Sequence, residues 1–424
     1  MRKRFFLLPF LAIAVGLQAQ SIGNSPYASF GIGEVKYDNS VETSAMGGIN
    51  TAYVWDFNNS FNFKNPAANT NLEITSIKVQ ANNENQIFKT DFQNIDVTKH
   101  SSYLSNLSIA FPISKKVKFG FGYQPYSSKK YNLIKSETLD NGTIKANRFY
   151  GEGTLNTLQA AFGYQINKEF ALGLRSNFYF GKLADVEELA LSDAVLINGY
   201  ETSNKIKTFN FTLGTTYQKK LKNDKKFTLG ATYTFGTTGN LTTNFINSTY
   251  YYTSDTKVNV TEVENKSSEA KNLIPTEFSF GVGYGKDAKW FVSSQIDYKK
   301  GTTTLFLGKP FAYQDSYRIS AGGWYLPNYN DFRNYLNRVV YRYGAFYEKG
   351  NLNVNNTSIN QYGITAGLTL PFQKSNAVRM SSVDLGLELG RKGTLKNNLI
   401  LQNFFNVKIG INFADKWFRK TEYD

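Results

Sequence analysis

The chain has 424 residues and a formal net charge of +15, with 16% aromatic residues, 34 Gly, 9 Pro and no Cys. The lack of Cys excludes the disulfide-stapled secreted scaffolds. Mean hydropathy is -0.39, and beyond the N-terminus no apolar run nears the roughly 20 residues of a spanning helix, which excludes a helical membrane protein. Aromatic and glycine enrichment with little proline favours strands and tight turns.

Residues 1–19 read as a secretory signal peptide: Arg2, Lys3 and Arg4 precede the apolar run 5–17, and small Ala19 marks the expected cleavage point. The protein is therefore expected to be exported. Residues 20–73 show no period-two pattern, yet carry SPYASFGIGEV, SAMGGINTAY and FKNPAANT, with Asn65, Pro66 and Ala67 forming a turn-opening string.

From residue 74 onward the pattern changes. Segments 74–83, 103–113, 117–126, 154–166, 170–180, 205–219, 227–235, 277–284, 290–298, 317–325, 339–347, 362–370, 383–389 and 399–413 each place apolar residues on one parity and small or polar residues on the other. Successive side chains on a strand point to opposite faces, so each is a two-faced strand. The connections alternate between short turns and long polar loops, as in a transmembrane β-barrel. In hydrocarbon an open sheet edge would leave backbone groups unsatisfied at several kcal/mol each, so the sheet must close on itself. The predicted fold is an all-β transmembrane antiparallel barrel of about 14 strands over residues 74–413, with a periplasmic tail at 414–424. In the last strand, Leu399, Leu401, Phe405, Val407, Ile409, Ile411 and Phe413 are expected to face lipid.

The opposite parity is expected to line the lumen. Arg175, Asp297, Arg318, Arg342, Asp384, Glu388 and Lys408 fall there, and an Arg or Lys facing lipid at mid-depth would cost about 2–4 kcal/mol. Cross-strand ion pairs are expected, with Arg318 or Arg342 meeting Asp297, Asp384 or Glu388. The inward aromatics Phe291, Trp324, Phe346 and Phe404 are candidates for contact with an apolar ligand. Aromatics at strand ends suit interfacial girdles.

Catalytic chemistry finds little foothold. The single histidine, His100, is assigned to an extracellular loop, and Asp185, Glu187 and Glu188 to the loop after the fifth strand, with a solvated surface as their default role. Lysines at 115, 116, 219, 220, 222, 225 and 226 fall in predicted periplasmic turns without the interleaved aromatics of a nucleic-acid face. No enzyme activity, cofactor, metal or nucleic-acid partner is expected.

The order of parts, a signal peptide, a glycine-rich segment with Asn65-Pro66-Ala67, then about fourteen strands, resembles the FadL-type family of outer-membrane transport proteins. YLNRVVYRYGAFYEKG and ITAGLTLPF near the C-terminus add to the likeness. The resemblance implies an N-terminal hatch at 20–73 inside an outer-membrane barrel that passes small hydrophobic molecules. It also implies a lateral exit at a kinked third strand, which here is VKFGFGYQPY, with Gly120, Gly122 and Pro125. The alternative it carries is an accessory barrel subunit of an outer-membrane secretion or assembly machine. The expected partners are outer-membrane lipid and a hydrophobic small-molecule ligand, with other outer-membrane proteins under the alternative.

Overall fold

A computed structural model describes residues 23–37, 40–55, 60–91, 97–237, 240–271, 274–306, 309–331, 333–372 and 381–415. The signal peptide and residues 416–424 of the tail lie outside them. Fourteen antiparallel strands form a closed barrel. They are β1 (Thr75–Lys89), β2 (Val97–Pro112), β3 (Val117–Ser128), β4 (Ile144–Gln165), β5 (Phe170–Leu191), β6 (Ile197–Lys220) and β7 (Lys225–Thr234). The second half comprises β8 (Glu277–Lys286), β9 (Trp290–Lys299), β10 (Ser316–Tyr325), β11 (Val340–Lys349), β12 (Gln361–Pro371), β13 (Ser382–Gly393) and β14 (Leu401–Asp415). The barrel closes where β14 pairs with β1, from Thr75 opposite Asp415 to Lys89 opposite Leu401.

The period-two pattern decides which face is which. On β14, Phe405, Val407, Ile409, Ile411 and Phe413 are exposed on the outside, while Gln402, Phe404, Lys408 and Asn412 on the other parity are buried. Every strand from β2 to β14 repeats this arrangement, so an apolar belt surrounds the molecule where hydrocarbon would lie. Leu399 departs from it. The residue precedes β14 and is buried with Tyr27 and Ile359, because the chain is still in the loop that delivers the strand.

Several strands are longer than their hydrophobic alternation. A tilted strand crosses a bilayer in about 9–11 residues, whereas β4 and β5 run for 22 residues and β6 for 24. Their upper halves mix polar residues with buried Leu155, Leu183 and Val186, so the regular lipid-facing alternation stops while the hydrogen-bonded ladder continues. This wall is widened by Tyr131–Thr138, which pairs with β4, and by the hairpin Asn240–Thr253 with Thr256–Lys271, which pairs with β6. His100 sits on β2 rather than in a loop, with Nδ1 2.6 Å from Asn85 Oδ1. Asp185, Glu187 and Glu188 likewise lie on β5.

Candidate functional site

Glycines decide how the lumen is filled. Gly163, Gly173 and Gly214 on β4, β5 and β6 are direct cross-strand neighbours. A Cβ placed on them would lie 2.5 Å from the Pro66 carbonyl, 2.4 Å from the Ala67 amide and 2.3 Å from Asn65 Oδ1. The Asn65-Pro66-Ala67 turn therefore rests directly on the backbone of three strands. Gly230 and Gly281, opposed on β7 and β8, receive Thr51 and Ala52 in the same way, at 1.9 and 3.2 Å. Gly322 and Gly344 on β10 and β11 receive Met46, at 2.3 and 2.2 Å, and Gly367 and Gly386 receive Ala45 and Val41. On β3, Gly120 and Gly122 face Phe61 and Phe63. Residues 41–55 and 60–67 thus line the inner wall, seated in a belt of missing side chains.

An irregular segment buried this way needs partners for its backbone, since buried N–H and C=O groups are costly when unpaired. The wall supplies them. Gln295 Oε1 accepts from both the Asn50 and Thr51 amides at 2.8 Å, Thr365 Oγ1 accepts from Gly47 N at 2.8 Å, and Thr216 Oγ1 donates to the Ala67 carbonyl at 2.9 Å. Asn65 caps the short helix Pro66–Asn69 through Oδ1 to Ala67 N, while its Nδ2 donates to the Thr51 carbonyl at 2.6 Å. Glu42 and Lys78, both buried, pair at 2.6 Å, and Gln80 Nε2 donates to Glu42 at 2.7 Å.

The inward charges form local pairs, with partners other than those expected from sequence. Arg318 bridges Glu348 at 3.0 Å and lies between the Tyr37 and Phe346 rings, 3.9 and 3.7 Å from their centroids. Asp297, opposite Arg318 in register, accepts instead from the Tyr37 hydroxyl and Gln295 Nε2. Arg342 donates to Thr369 Oγ1, which donates to Asp384, so the two charges are joined through a hydroxyl. Glu388 pairs with Lys408 at 3.0 Å. Arg175 donates to the Phe63 carbonyl and to Thr212.

The candidate ligand aromatics divide. Phe291 and Trp324 are buried with Met46, Ile49, Tyr53 and Trp55 of the N-terminal segment, so they pack that segment and are screened from any ligand. Phe346 lies under Arg318. Phe404 lines a cavity of about 160 Å³. Lys408, placed in the lumen by parity, lines it too; sequence reasoning missed Glu34, Lys36, Glu84, Tyr103 and Lys392 on its wall, and the apolar Ile32, Val35, Tyr126 and Ile359 beside them. Lys36 pairs with Glu84 at 2.8 Å, and Lys392 pairs with Glu34 at 2.8 Å. An apolar cavity of about 150 Å³ stays dry and binds benzene; this one mixes apolar side chains with buried ion pairs.

The third strand behaves differently from its expected gate. Gly120 pairs with Ala110 on β2 and Ala161 on β4, and Gly122 pairs with Ser108 and Gln159, so the ladder runs intact on both sides there. The β2–β3 ladder ends where Leu107 meets Tyr123, although β2 continues beside β1 up to Val97. Above that point β3 carries a register shift between Pro125 and Ser127 and takes a new neighbour, the two-residue strand Glu34–Val35. On the other side Gly23 N donates to Ser101 Oγ at 3.1 Å and Asn24 Nδ2 to the His100 carbonyl at 3.0 Å. Residues 23–36 therefore occupy the divergence between β2 and β3.

Of the acidic trio, Asp185 and Glu188 are drawn into the sheet, where Lys129 and Tyr131 bind Asp185 and Tyr250 and Tyr252 donate to Glu188, while Glu187 stays exposed. No group of three His, Cys, Asp or Glu able to hold a metal occurs among the described residues.

Comparison with known proteins places this architecture. The BamG family model matches residues 1–424. No characterised protein matches in sequence. Among solved structures, the toluene transporter TodX of P. putida superposes with a TM-score of 0.57 at 16% identity, covering 90% of this chain and 99% of TodX. The Ralstonia pickettii toluene transporter TbuX gives 0.56 at 13% identity, over 88% of this chain and 98% of TbuX. A FadL homologue of Pseudomonas aeruginosa gives 0.56 at 12% identity, over 93% and 98%. The fold is thus that of the FadL-type barrels.

Proposed function

The chain belongs to the BamG family, and from that premise we propose that it works as a non-conducting accessory barrel, a subunit of an outer-membrane secretion or assembly machine. The observation that carries this reading is the lumen. Its lower part is filled by residues 41–55 and 60–67 seated on the wall glycines, and the cavity left above carries the ion pairs Lys36–Glu84 and Lys392–Glu34 on its wall. A hydrophobic solute crossing that cavity would have to displace ion pairs without replacing their interactions, which is unfavourable for apolar matter. A further support is the periplasmic rim, where Tyr335 and Leu336 are exposed on a short helix, Tyr335–Arg338, beside exposed Phe372. Such groups suit contact with other proteins.

The test is solubilisation in mild detergent after cross-linking in cells. The proposal expects a stoichiometric complex with other outer-membrane proteins, and no conductance from the purified barrel in planar bilayers. A lone barrel that speeds entry of a hydrophobic probe into vesicles would reject it.

A second reading is supported by the divergence of β2 and β3. There the N-terminal segment would act as a hatch, and its withdrawal would open a lateral exit above Tyr123 for small hydrophobic molecules moving by passive uptake. This reading also fits TodX and TbuX, which are toluene transporters. Probe uptake by vesicles separates the two.

A further inference from the structure

The outer wall carries one charge arrangement that neither reading uses. We propose that Lys182, Lys205 and Lys207 form a binding site for the phosphate of an outer-leaflet lipid headgroup. Lys182 on β5 lies directly opposite Lys205 on β6, and Lys207 lies opposite Phe180. All three are on the outward parity and exposed. Like charges directly opposite on neighbouring strands destabilise a sheet, so this arrangement calls for an anion to bridge it. The acid nearby is Glu201, 3.6 Å from Lys182. Among the described residues Lys205 and Lys207 have no ion-pair partner.

The level on the wall identifies the anion. Immediately below the lysines, toward mid-membrane, Phe178, Phe180 and Phe209 form an aromatic cluster, with Phe178 4.5 Å from Phe209 and 5.7 Å from Phe180 between centroids. Outward Phe211, Leu213 and Leu174 continue the apolar face. The lysines therefore sit where the lipid-facing band of β5 and β6 ends on the long-loop side, at headgroup height, with aliphatic stems able to lie along the band and ammonium groups above it. Acyl chains would pack on the phenylalanines and a phosphate would reach the three ammoniums. Two other outward cations at the long-loop end are met by the wall itself: Arg391 donates to Asn403 at 2.9 Å, and Lys349 stands over the Tyr317 ring at 6.0 Å.

The experiment uses the full-length barrel, purified in a zwitterionic detergent and titrated with diphosphoryl lipid A, with bound lipid read by native mass spectrometry. Each lysine near an anionic headgroup is worth about 1 kcal/mol, or roughly fivefold, so the combined K182Q, K205Q and K207Q variant is expected to bind on the order of 100-fold more weakly. A control variant, K219Q with K220Q and K222Q, removes the same charge from a periplasmic turn and should bind as the parent does. Affinity of the wall variant within threefold of the parent overturns the site, as does an equal loss in the control. Inorganic phosphate that displaces the lipid at equal concentration shows free phosphate to be the ligand and overturns the lipid assignment. Should the triple variant fail to insert, the parent alone still decides: raising salt from 50 to 500 mM is expected to weaken binding at least tenfold, and unchanged affinity overturns the proposal.

Discussion

Gly173 and Ala67 approach so closely that a Cβ on the glycine would lie 2.4 Å from the Ala67 amide nitrogen. The neighbour is backbone, fixed by the Asn65 cap and by Thr216, so it has little freedom to yield. Gly173→Val is expected to lift this turn from the wall, at about 1–3 kcal/mol for an overpacked core site. Opening of the N-terminal segment should rise about 10- to 100-fold, read as faster protease cleavage between residues 40 and 72 in detergent. Ser176→Val, on the outward parity of the same strand, should leave cleavage unchanged.

The Glu42–Lys78 pair gives a second measure of how firmly the segment is held. Both side chains are almost fully buried, and Glu42 also accepts from Ser40 Oγ at 2.8 Å. Glu42→Gln leaves the Lys78 ammonium buried without its anion, a loss of about 3–5 kcal/mol by comparison with other buried pairs. Thermal unfolding should show this as a lower midpoint. Adding Lys78→Met removes the stranded charge, and the double variant should recover most of the loss.

How much of this could be read from sequence follows from the range of each signal. The fourteen strands were legible because every one presents an apolar face to lipid, a constraint visible within ten residues. The tops of β4, β5 and β6 were not, since there the outer face no longer meets lipid while the inner face packs Leu155, Leu183 and Ile206 into an apolar cluster, and the regular alternation fades. Asp297, Arg318, Arg342 and Asp384 on the lumen parity are buried and Glu388 is half-buried. Their partners were not legible, because Tyr37, Glu348, Thr369 and Lys408 are chosen by strand order and by a segment remote in sequence. Glycines at inward positions were visible, but their purpose needs the placement of residues 41–55 and 60–67. Phe291 and Trp324 misled for the same reason: parity places a ring in the lumen and cannot say whether ligand or protein covers it.

Gly33 tests the contact that occupies the divergence of β2 and β3. Its φ is +83°, and a Cβ there would lie 2.2 Å from the Ser128 carbonyl, so a side chain meets both backbone strain and a backbone clash. Gly33→Val should dislodge Glu34–Val35 from Ser127 and Ser128. The chain has no native cysteine, so a single Ser101→Cys reporter can follow this site. Maleimide labelling of that reporter is expected to accelerate at least tenfold with Gly33→Val. An unchanged rate would mean that residues 23–36 do not shield β2.

Gly122 supplies the contrast, because it lies on the same strand yet below the divergence. Its ladder is intact on both sides, and a Cβ would approach only the Phe63 ring, at 3.0 Å from Cζ. The far end of a side chain can shift where backbone cannot, so Gly122→Val should cost less than Gly33→Val, about 1 kcal/mol from the mild end of overpacking. Labelling at Ser101→Cys should stay at the parent rate, since Ser127, Ser128 and their partners are untouched. A hydrophobic-probe uptake assay should likewise show no change in Gly122→Val. A rise in either measurement would move the weak point of the wall down to the glycines of β3 and away from Tyr123, where the β2–β3 ladder ends.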